Sequence, residues 1–546
     1  MAFSSRNKVT VLAVAAVTAV VLAACGAGKN DQNTPAPGGS GGPSATGSLT
    51  IGTTDSIIAL DPAGSYDNGS LAVEDNIYQF LMNVPAGGKA PEPDAAQSCD
   101  FSSPKVYECT LKPGLKFSNG DPLTAKDVAF SFQRIVTINN PNGPASLLGN
   151  MKSVKADGDS KVVFTLNNPN DQTWPFVLGT SAGPIVDSKV FAPDKLLPDG
   201  QVIGSGPFRI SSYQKNQLIQ YEANPNYSGP NTPKTAQITV KYYTSSDNMK
   251  LDVQTGAIDI AWRTLTPVDI ASLKTDSNVK VLTGSGGELR YIVFNLKTMP
   301  GNNEAQKLAI RRAMAYSIDR NDLATNVYKG TFQPAYSMVP QGIAYATEPF
   351  KDVYGASPNP DKAKSVLQAA GVSTPVTLHI DYVSDGHYGT TSGDEYNQIK
   401  RQLESTGLFK VSLQGTAYTT YSEERVKDTY PIYQLGWFPD FVDGDNYLFN
   451  FLNPENFVHA HYCDNTTNAP CVKDGVLPLL TQEETKTGQA RAQAFAEIQK
   501  KLATGTMPYL PLLSGKQVAV TGTDISGVQE TLDPTYQFRM WLFSKS

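Results

Sequence analysis

The chain has 546 residues, of which 40% are hydrophobic, and its 45 Lys and Arg against 51 Asp and Glu give a formal net charge of −6. This acidic balance provides neither the basic surface of a nucleic-acid-binding protein nor a polybasic patch for anionic membranes, so we expect no nucleic-acid partner. The hydrophobic fraction suffices for packed cores, and at about 150 residues per domain the length predicts two to four domains.

The N-terminus has the pattern of a secretory signal peptide that ends at a cysteine. Arg6 and Lys8 supply a positive start, an apolar stretch follows, and the sequence Leu-Ala-Ala-Cys closes it at Cys25. This pattern resembles the bacterial lipobox, in which the cysteine is acylated and becomes the new N-terminus. The alternative is a membrane-spanning anchor, which needs about 20 apolar residues, more than this stretch has. We therefore expect residues 1–24 to be a signal peptide and Cys25 to carry a lipid that anchors the protein outside the cytoplasm.

The segment after the cysteine is rich in Gly, Pro, Ser, Asn and Thr and has no aliphatic residue larger than Ala. This composition predicts that residues 25–47 are a flexible tether that holds the folded part away from the membrane. Folded sequence begins near Ser48, and no later segment is long and apolar enough to cross a membrane.

Helical and strand patterns alternate from Ser48 onward. Thr124 and Asp127 have the spacing of a capping box ahead of an apolar helix face, and Asp157-Gly158 marks the turn of a hairpin. The other predicted helices are 70–81 with Ser70 as its cap, 304–318, 361–370 and 491–503. The other predicted strands include 49–51, 206–223 as a hairpin, 238–243, 290–295, 376–382, 411–414, 432–436 and 517–521. This interleaving predicts an α/β fold with mixed sheets.

Four cysteines remain after Cys25, and an even number in an exported protein suggests disulfides. Pairing between neighbours in sequence would join Cys99 to Cys109 and Cys463 to Cys471, although three connectivities are possible. Zinc is the alternative, but the chain has no C-x-x-C spacing and the oxidising compartment favours disulfides.

One pentapeptide matches a catalytic pattern. Gly179-Thr180-Ser181-Ala182-Gly183 has the G-x-S-x-G form of a nucleophile elbow, which needs a strand before the serine and a helix after it. Residues 176–178 could supply the strand, but 184–186, Pro-Ile-Val, is typical of extended chain rather than of a helix. The pattern therefore favours a Gly/Ser loop, and a secreted serine hydrolase that uses Ser181 is the alternative function from another class.

Few other residues suggest a metal-binding or ligand-binding site. His459 and His461 could clamp a metal if they lay on a strand, but a surface pair is expected. Asp440, Asp443 and Asp445 lack the glycine and the terminal Glu of a calcium loop. A carboxylate among aromatic rings is typical of a site for a cationic amine. The aromatic neighbours of these aspartates are Trp437, Phe438, Phe441 and Tyr447. We expect neither a metal site nor a cofactor.

A long segment, 107–134, reads YECTLKPGLKFSNGDPLTAKDVAFSFQR. It resembles the signature of the bacterial extracellular solute-binding proteins of family 5, the peptide- and nickel-binding components of ABC importers. Several further segments resemble landmarks of the same family and follow in the family's order. They are 204–208, 224–229, 254–260, 294–295, 310–320, 359–364 and 508–512.

The resemblance implies an α/β, two-lobed fold of the type II periplasmic binding proteins, with an extra domain inserted in the first lobe and a central ligand cleft. Such lobes close on a ligand that bridges them, so binding energy moves the open–closed equilibrium. Two chain crossings, near 290 and 515, would form the hinge. The implied boundaries are 48–86, 204–290 and 516–546 for the first lobe, 87–203 for the inserted domain and 291–515 for the second lobe.

The resemblance also implies residues that bind ligand. Peptide-binding members hold the α-amino group with an aspartate three residues after a tryptophan, and 436–440, Gly-Trp-Phe-Pro-Asp, matches this arrangement. Asp440 would therefore meet the ammonium, because burying an ammonium is costly unless a carboxylate pairs with it. Trp437 would line a side-chain pocket, and Phe438 and Asn295 are further expected ligand contacts.

A second match with the family suggests which residue would contact the C-terminal carboxylate of the ligand. Residues 384–387, Ser-Asp-Gly-His, resemble the Ser-Asp-x-His of oligopeptide binders, whose histidine meets the C-terminus of a longer peptide. Gln434 stands where those binders carry an arginine, and it is a further expected ligand contact. We therefore expect a ligand longer than a dipeptide, with His387 as a possible carboxylate contact; an exposed loop residue is the alternative for His387.

These observations predict a lipid-anchored binding protein, not an enzyme, that captures oligopeptides and delivers them to the permease of an ABC importer. We expect a monomer that contacts its peptide ligand, the permease subunits and, through the lipid, the membrane. Nickel or a metal chelate and oligosaccharides are alternative ligands of the same fold.

Overall fold

The computed structural model describes residues 46–464 and 467–546, so the predicted signal peptide, Cys25 and most of the tether lie outside the described residues. The strands are β1 (Ser48–Thr53), β2 (Met82–Asn83), β3 (Glu92–Pro93), β4 (Ala96–Ser103), β5 (Val106–Leu111), β6 (Met151–Asp157), β7 (Lys161–Leu166), β8 (Phe208–Gln214), β9 (Leu218–Ala223), β10 (Gln237–Tyr242), β11 (Ile260–Trp262), β12 (Val279–Phe294), β13 (Phe332–Pro334), β14 (Val376–Val383), β15 (Phe409–Thr416), β16 (Ile432–Trp437), β17 (Tyr509–Gly522), β18 (Ile525–Ser526) and β19 (Ser544–Lys545).

The helices alternate with these strands, as the sequence predicts. They are α1 (Asn68–Ile77), α2 (Ala125–Ile138), α3 (Trp174–Val177), α4 (Ser246–Thr255), α5 (Pro267–Leu273), α6 (Glu304–Ser317), α7 (Arg320–Asp322), α8 (Pro349–Tyr354), α9 (Pro360–Ala369), α10 (Ser392–Ser405), α11 (Tyr418–Arg425), α12 (Phe449–Leu452), α13 (Pro470–Asp474), α14 (Leu477–Thr485) and α15 (Gly488–Thr504). Among the described helices, none has both the length and the apolar character that a membrane crossing requires.

The main sheet has eleven strands and mixes parallel with antiparallel pairs. Its order is β15-β14-β16-β12-β17-β11-β1-β10-β9-β8, and β13 adds to β17. The two long strands β12 and β17 pair with each other in the middle and connect the two halves of the sheet. Their register shifts between Ser285 and Leu289, and from Leu289 onward β12 pairs with β16 as well as with β17. The two halves of the sheet are therefore connected through the pair β12 and β17, whose pairing is irregular near its middle.

A separate four-stranded antiparallel sheet has the order β4-β5-β7-β6. Helix α2 covers it, and the aromatic rings of Phe132, Phe164 and Trp174 pack edge to face in the core between them. Cys99 and Cys109 lie directly opposite each other on β4 and β5 and form a disulfide, and Cys463 is joined to Cys471. The structure thus selects the sequence-local pairing from the three possible connectivities.

Most local predictions are confirmed. Thr124 and Asp127 form the capping box of α2, and the turn at Asp157 joins β6 to β7. Two strands, β12 and β17, extend well beyond the predicted 290–295 and 517–521. The extra residues of β17, 509–516, are almost all buried, so no alternation of apolar and polar residues marks them. Those of β12 include a partly exposed stretch, 280–285, that is rich in polar residues and glycine.

The prediction that Ser70 caps a helix over 70–81 is wrong. The cap of α1 is Asp67, whose side chain accepts a hydrogen bond from the Ser70 amide, and the helix ends at Ile77. The Ser70 hydroxyl instead accepts the Ile58 amide at 3.0 Å. Both residue types favour caps, and a contact distant in sequence decides between them.

Candidate ligand-binding site

Two cavities meet beside the central strands. Cavity A, of about 360 Å³, is lined by residues that include Tyr66, Ser181, Arg425, Trp437, Asp440 and Phe457. Cavity B, of about 490 Å³, is lined by residues that include Asp55, Arg263, Glu288, Arg290, Lys516 and Tyr536. His387, Tyr388 and Phe438 line both cavities and form the wall that they share. The sequence-predicted residues Asp440, Trp437, His387 and Phe438 are therefore brought together here.

Asp440 lies in cavity A with hydrogen-bond donors but without a cation. Asn446 Nδ2 donates to Asp440 Oδ2 at 3.0 Å, and the Tyr66 hydroxyl donates to Oδ1. None of the ion pairs within residues 46–464 and 467–546 includes this carboxylate. Burial raises the pKa of Asp440 above its usual value, and the bonds from Asn446 and Tyr66 oppose that rise. The carboxylate is thus oriented, partly desolvated and without a positive partner.

One amide holds Asp440 and Trp437 in place. The buried Asn446 Oδ1 accepts both the Trp437 indole Nε1 at 3.0 Å and the Asp440 backbone amide at 2.9 Å. Trp437 is the last residue of β16, so the sheet positions the indole and the following turn positions the carboxylate. A Cβ on Gly287 would lie 2.6 Å from Pro439 Cγ, so only glycine lets β12 approach this turn so closely.

Aromatic rings form one side of cavity A. Trp437 stacks on Phe457 with ring centroids 5.4 Å apart, and Phe451 meets the indole edge to face at 5.1 Å. Arg425 lies over Phe457, and its Nη1 donates to the backbone oxygens of Phe457 at 2.7 Å and Val458 at 2.8 Å. This surface offers apolar contact to a ligand side chain next to the carboxylate of Asp440.

His387 lies on the shared wall rather than deep in either cavity. Its ring stacks on Tyr418 with centroids 3.4 Å apart. Part of the residue is exposed, but the surrounding protein desolvates the ring and lowers the pKa of His387, and the charge of Arg290 acts in the same direction. The imidazole is therefore neutral at pH 7 and can accept or donate one hydrogen bond, but it offers no fixed positive charge.

Two expected ligand contacts lie in the protein core and line neither cavity. Gln434 Oε1 accepts the Val383 amide at 2.9 Å, and its Nε2 donates to Ser392 Oγ at 3.2 Å. Asn295 Nδ2 donates to Asp428 Oδ1 at 3.0 Å at the end of β12. Both side chains are buried and hydrogen-bonded, so they support neighbouring segments of the fold.

The other sequence candidates have structural partners. Asp443 accepts two hydrogen bonds from Arg491, at 2.8 and 2.9 Å, and is buried. His461 Nε2 lies 2.6 Å from Asp428 Oδ1, and no cluster of His, Cys, Asp and Glu side chains able to hold a metal occurs in the described part of the chain. Of the three clustered aspartates, Asp440 lines cavity A, and the other two line neither cavity A nor cavity B.

Ser181 lines cavity A but lacks the surroundings of a nucleophile. Residues 174–177 form the short helix α3, so no strand precedes the serine there, and residues 183–187 form neither the helix that the elbow needs nor a strand. The histidine side-chain hydrogen bonds found in the described residues involve His379 and His461 and do not reach Ser181. The strand that 176–178 could have supplied is absent, because these residues follow Pro175 in the helical turn that begins at Trp174.

Sequence reasoning missed Tyr66, Arg425 and Asn446. Tyr66 lies 374 residues from Asp440, so no local pattern links them. Asn446 follows Asp440 by only six residues, and its place in the acidic and aromatic segment was the one available signal. Arg425 ends α11 and has the appearance of a surface charge in the sequence.

Known proteins with similar sequences are solute-binding or peptide-binding proteins. The family model for bacterial extracellular solute-binding proteins, family 5 (middle), matches residues 90–458. The chain is 28% identical over 412 residues to a probable D,D-dipeptide-binding periplasmic protein of Escherichia coli, covering 72% of this chain and 75% of that protein. It is 23% identical over 550 residues to the oligopeptide-binding protein OppA of Bacillus subtilis, covering 96% and 97%.

The structure is similar to solved structures of periplasmic binding proteins. A periplasmic binding protein, DppA of Helicobacter pylori in complex with the peptide STSA, superposes with a TM-score of 0.72 at 20% identity, covering 92% of this chain and 98% of that one. The fold is therefore the two-lobed, type II fold of periplasmic binding proteins. Because members of the matching family bind and transport solutes, the serine-hydrolase alternative is wrong. The matched region exceeds half of the chain, and the protein belongs to the bacterial extracellular solute-binding proteins of family 5.

Proposed function

We propose that this protein is a lipid-anchored substrate-binding protein that captures oligopeptides outside the cytoplasm and delivers them to the permease of an ABC importer. The observation that carries the proposal is Asp440, an oriented and partly desolvated carboxylate without a cation, beside the aromatic surface of Trp437. A protonated α-amino group completes such a site, because it supplies the missing charge and up to three N–H donors.

The relatives support a peptide as the ligand. Two of them are a probable D,D-dipeptide-binding protein of Escherichia coli and an oligopeptide-binding protein of Bacillus subtilis, and the Helicobacter pylori structure holds a peptide. We further propose that Cys25 carries the lipid, that the folded protein is a monomer, and that the permease recognises its closed form.

We propose the lobe boundaries that the sequence predicts. The crossing strands β12 and β17 carry the chain between the two halves of the main sheet, and their pairing is irregular near Ser285. A shift in register removes hydrogen bonds locally and lets a strand bend. This place is therefore suited to act as the hinge between lobes. The proposed segments are 48–86, 204–290 and 516–546 for the first lobe, 87–203 for the inserted domain and 291–515 for the second lobe.

Native mass spectrometry of residues 48–546, purified without denaturation, tests the peptide assignment. We expect a ladder of adducts whose masses fit peptides, with their length given directly by the masses. Adducts that fit a metal chelate or an oligosaccharide would contradict the proposal. If the protein is bare, added peptides with free termini must form complexes in the same spectra, and failure of every peptide to bind would also contradict it.

The raised pKa of Asp440 predicts a pH dependence of binding. The ligand ammonium needs the ionised carboxylate, and in the free protein burial makes this form harder to reach, so protonation begins at a higher pH than for an exposed aspartate. We expect affinity for peptides with a free N-terminus to fall as the solution is acidified, and to begin to fall at a higher pH than an exposed aspartate would give. Calorimetric titrations at a series of pH values measure this, and Asp440→Asn should remove the fall.

A further inference from the structure

Cavity B contains one positive charge that the protein leaves without a counterion. Arg263 Nε lies 3.0 Å from Asp55 Oδ2, and Arg290 pairs with Glu288, so two of its cations are compensated. Lys516 lines the same cavity, and its ammonium donates to the backbone oxygen of Gly330 at 3.1 Å. No ion pair among the described residues, 46–464 and 467–546, includes Lys516.

Lys516 is held in place by the crossing strand. It belongs to β17, and its backbone amide donates to Thr331 O at 2.9 Å. The side chain is half-buried between this strand and the segment that precedes β13. A cation removed from part of its hydration shell is stabilised by an anion that enters the same cavity.

The backbone of the opposite wall also points to a binding role for cavity B. Arg263 and Thr264 both line it and both adopt positive φ, 60° and 65° respectively. Positive φ is costly for a β-branched residue such as threonine, and conformations of this kind persist where a ligand site or another constraint requires them. The Thr264 hydroxyl donates to Arg263 O at 2.8 Å, which holds this constrained turn in place, so this part of the cavity wall is fixed before a ligand enters.

The two cavities together describe a ligand with separated charges. Asp440 in cavity A lacks a cation, Lys516 in cavity B lacks an anion, and the cavities share the wall of His387, Tyr388 and Phe438. We infer that Lys516 binds the α-carboxylate of a peptide whose N-terminus lies at Asp440 and whose chain passes over this wall. The inference rests on the proposed function and assigns the carboxylate end to Lys516 rather than to the neutral His387.

Arg425 is the competing cation. It lines cavity A, and none of the ion pairs found in the described segments includes it. However, its Nη1 already donates to Phe457 O and Val458 O, so the guanidinium fixes the segment that carries the Phe457 ring. It also lines the same cavity as Asp440, whereas Lys516 lines the second cavity, beyond the shared wall. Arg425→Met is therefore compared with Lys516→Met in the test.

The test uses peptides longer than a dipeptide, each synthesised as the free acid and as the C-terminal amide. Calorimetry on residues 48–546 should show that the wild type prefers the acids by about 10-fold or more, the effect of a charge-assisted hydrogen bond. Lys516→Met should lose this preference and Lys516→Arg should retain most of it. Lys280 is the matched control, because its ammonium also donates to a backbone oxygen, Thr523 O at 2.5 Å, but lines neither cavity.

Each outcome decides a different claim. Loss of the acid preference in Lys516→Met, with the preference intact in Lys280→Met, supports the inference. A preference that persists in Lys516→Met, or that disappears in Arg425→Met instead, overturns it while peptide binding stands. If the wild type binds no peptide in either form, the proposed function fails and the inference fails with it. Thermal melting of each variant establishes that the proteins compared are folded.

Discussion

Peptides with a free N-terminus are expected to bind Asp440→Asn about 10- to 100-fold more weakly than the wild type, a loss of about 1.5–3 kcal/mol. The amide keeps the shape of the carboxylate but removes the negative charge that the ligand ammonium requires. Tyr66 and Asn446, which orient the carboxylate, cannot replace that charge. Isothermal titration calorimetry measures the difference directly.

Acetylated peptides provide the control for this prediction. Without a charged terminus they should bind the wild type weakly, and Asp440→Asn should change their affinity little, because the interaction that the substitution removes is already absent. Asp352→Asn serves as the matched variant, since Asp352 is an exposed aspartate outside both cavities. Equal affinity of wild type and Asp440→Asn for peptides with a free N-terminus would refute the assignment of Asp440.

Arg134→Met is expected to lower the free energy of unfolding by about 3–5 kcal/mol. Nη1 and Nη2 of Arg134 each donate to a carboxylate oxygen of Asp61 at 2.6 Å, and both side chains are almost completely buried. Further bonds run from Arg134 to the backbone oxygens of Ala192 at 2.6 Å and Lys195 at 2.7 Å. Loss of the guanidinium leaves the Asp61 carboxylate buried without its cation, and urea denaturation followed by circular dichroism measures the cost.

Lys126 on the same helix is the control. Its pair with Asp159 is exposed on both sides, at 71% and 75% of the side-chain surface, so Lys126→Met should leave the unfolding curve unchanged within error. An Arg134→Met protein that unfolds at the same urea concentration as Lys126→Met would show that the buried pair is not a main contributor to stability.

Features that depend on a few neighbouring residues could be predicted from the sequence. The capping box of α2 and the turn between β6 and β7 are of this kind, because their stabilising bonds join residues close in sequence. The cap of α1 shows where such reasoning fails. Asp67 and Ser70 both suit a cap, and the bond from the distant Ile58 amide to the Ser70 hydroxyl favours Asp67 as the cap.

Some residues of the candidate site could likewise be predicted from the sequence, and others could not. The spacing of Trp437 and Asp440 was sufficient to single out the carboxylate that lines cavity A. Gln434 and Asn295 were expected there by their place in the sequence, but their side chains point into the core and bond to neighbouring segments. A residue on a strand can face either side, so its position along the chain does not say whether it meets a ligand.

The sequence by itself determined the α/β class, most of the local elements, the family and the aspartate that we assign to the ligand amine. The tertiary structure decided which charges remain without a partner. Arg134 meets Asp61 across 73 residues of sequence, whereas Asp440 and Lys516 face cavities and form no ion pair within the part of the chain that the structure describes. The sequence gives the number of charged residues but not which of them form pairs. The free energy of a buried charge depends on the groups that the fold brings within a few ångströms of it.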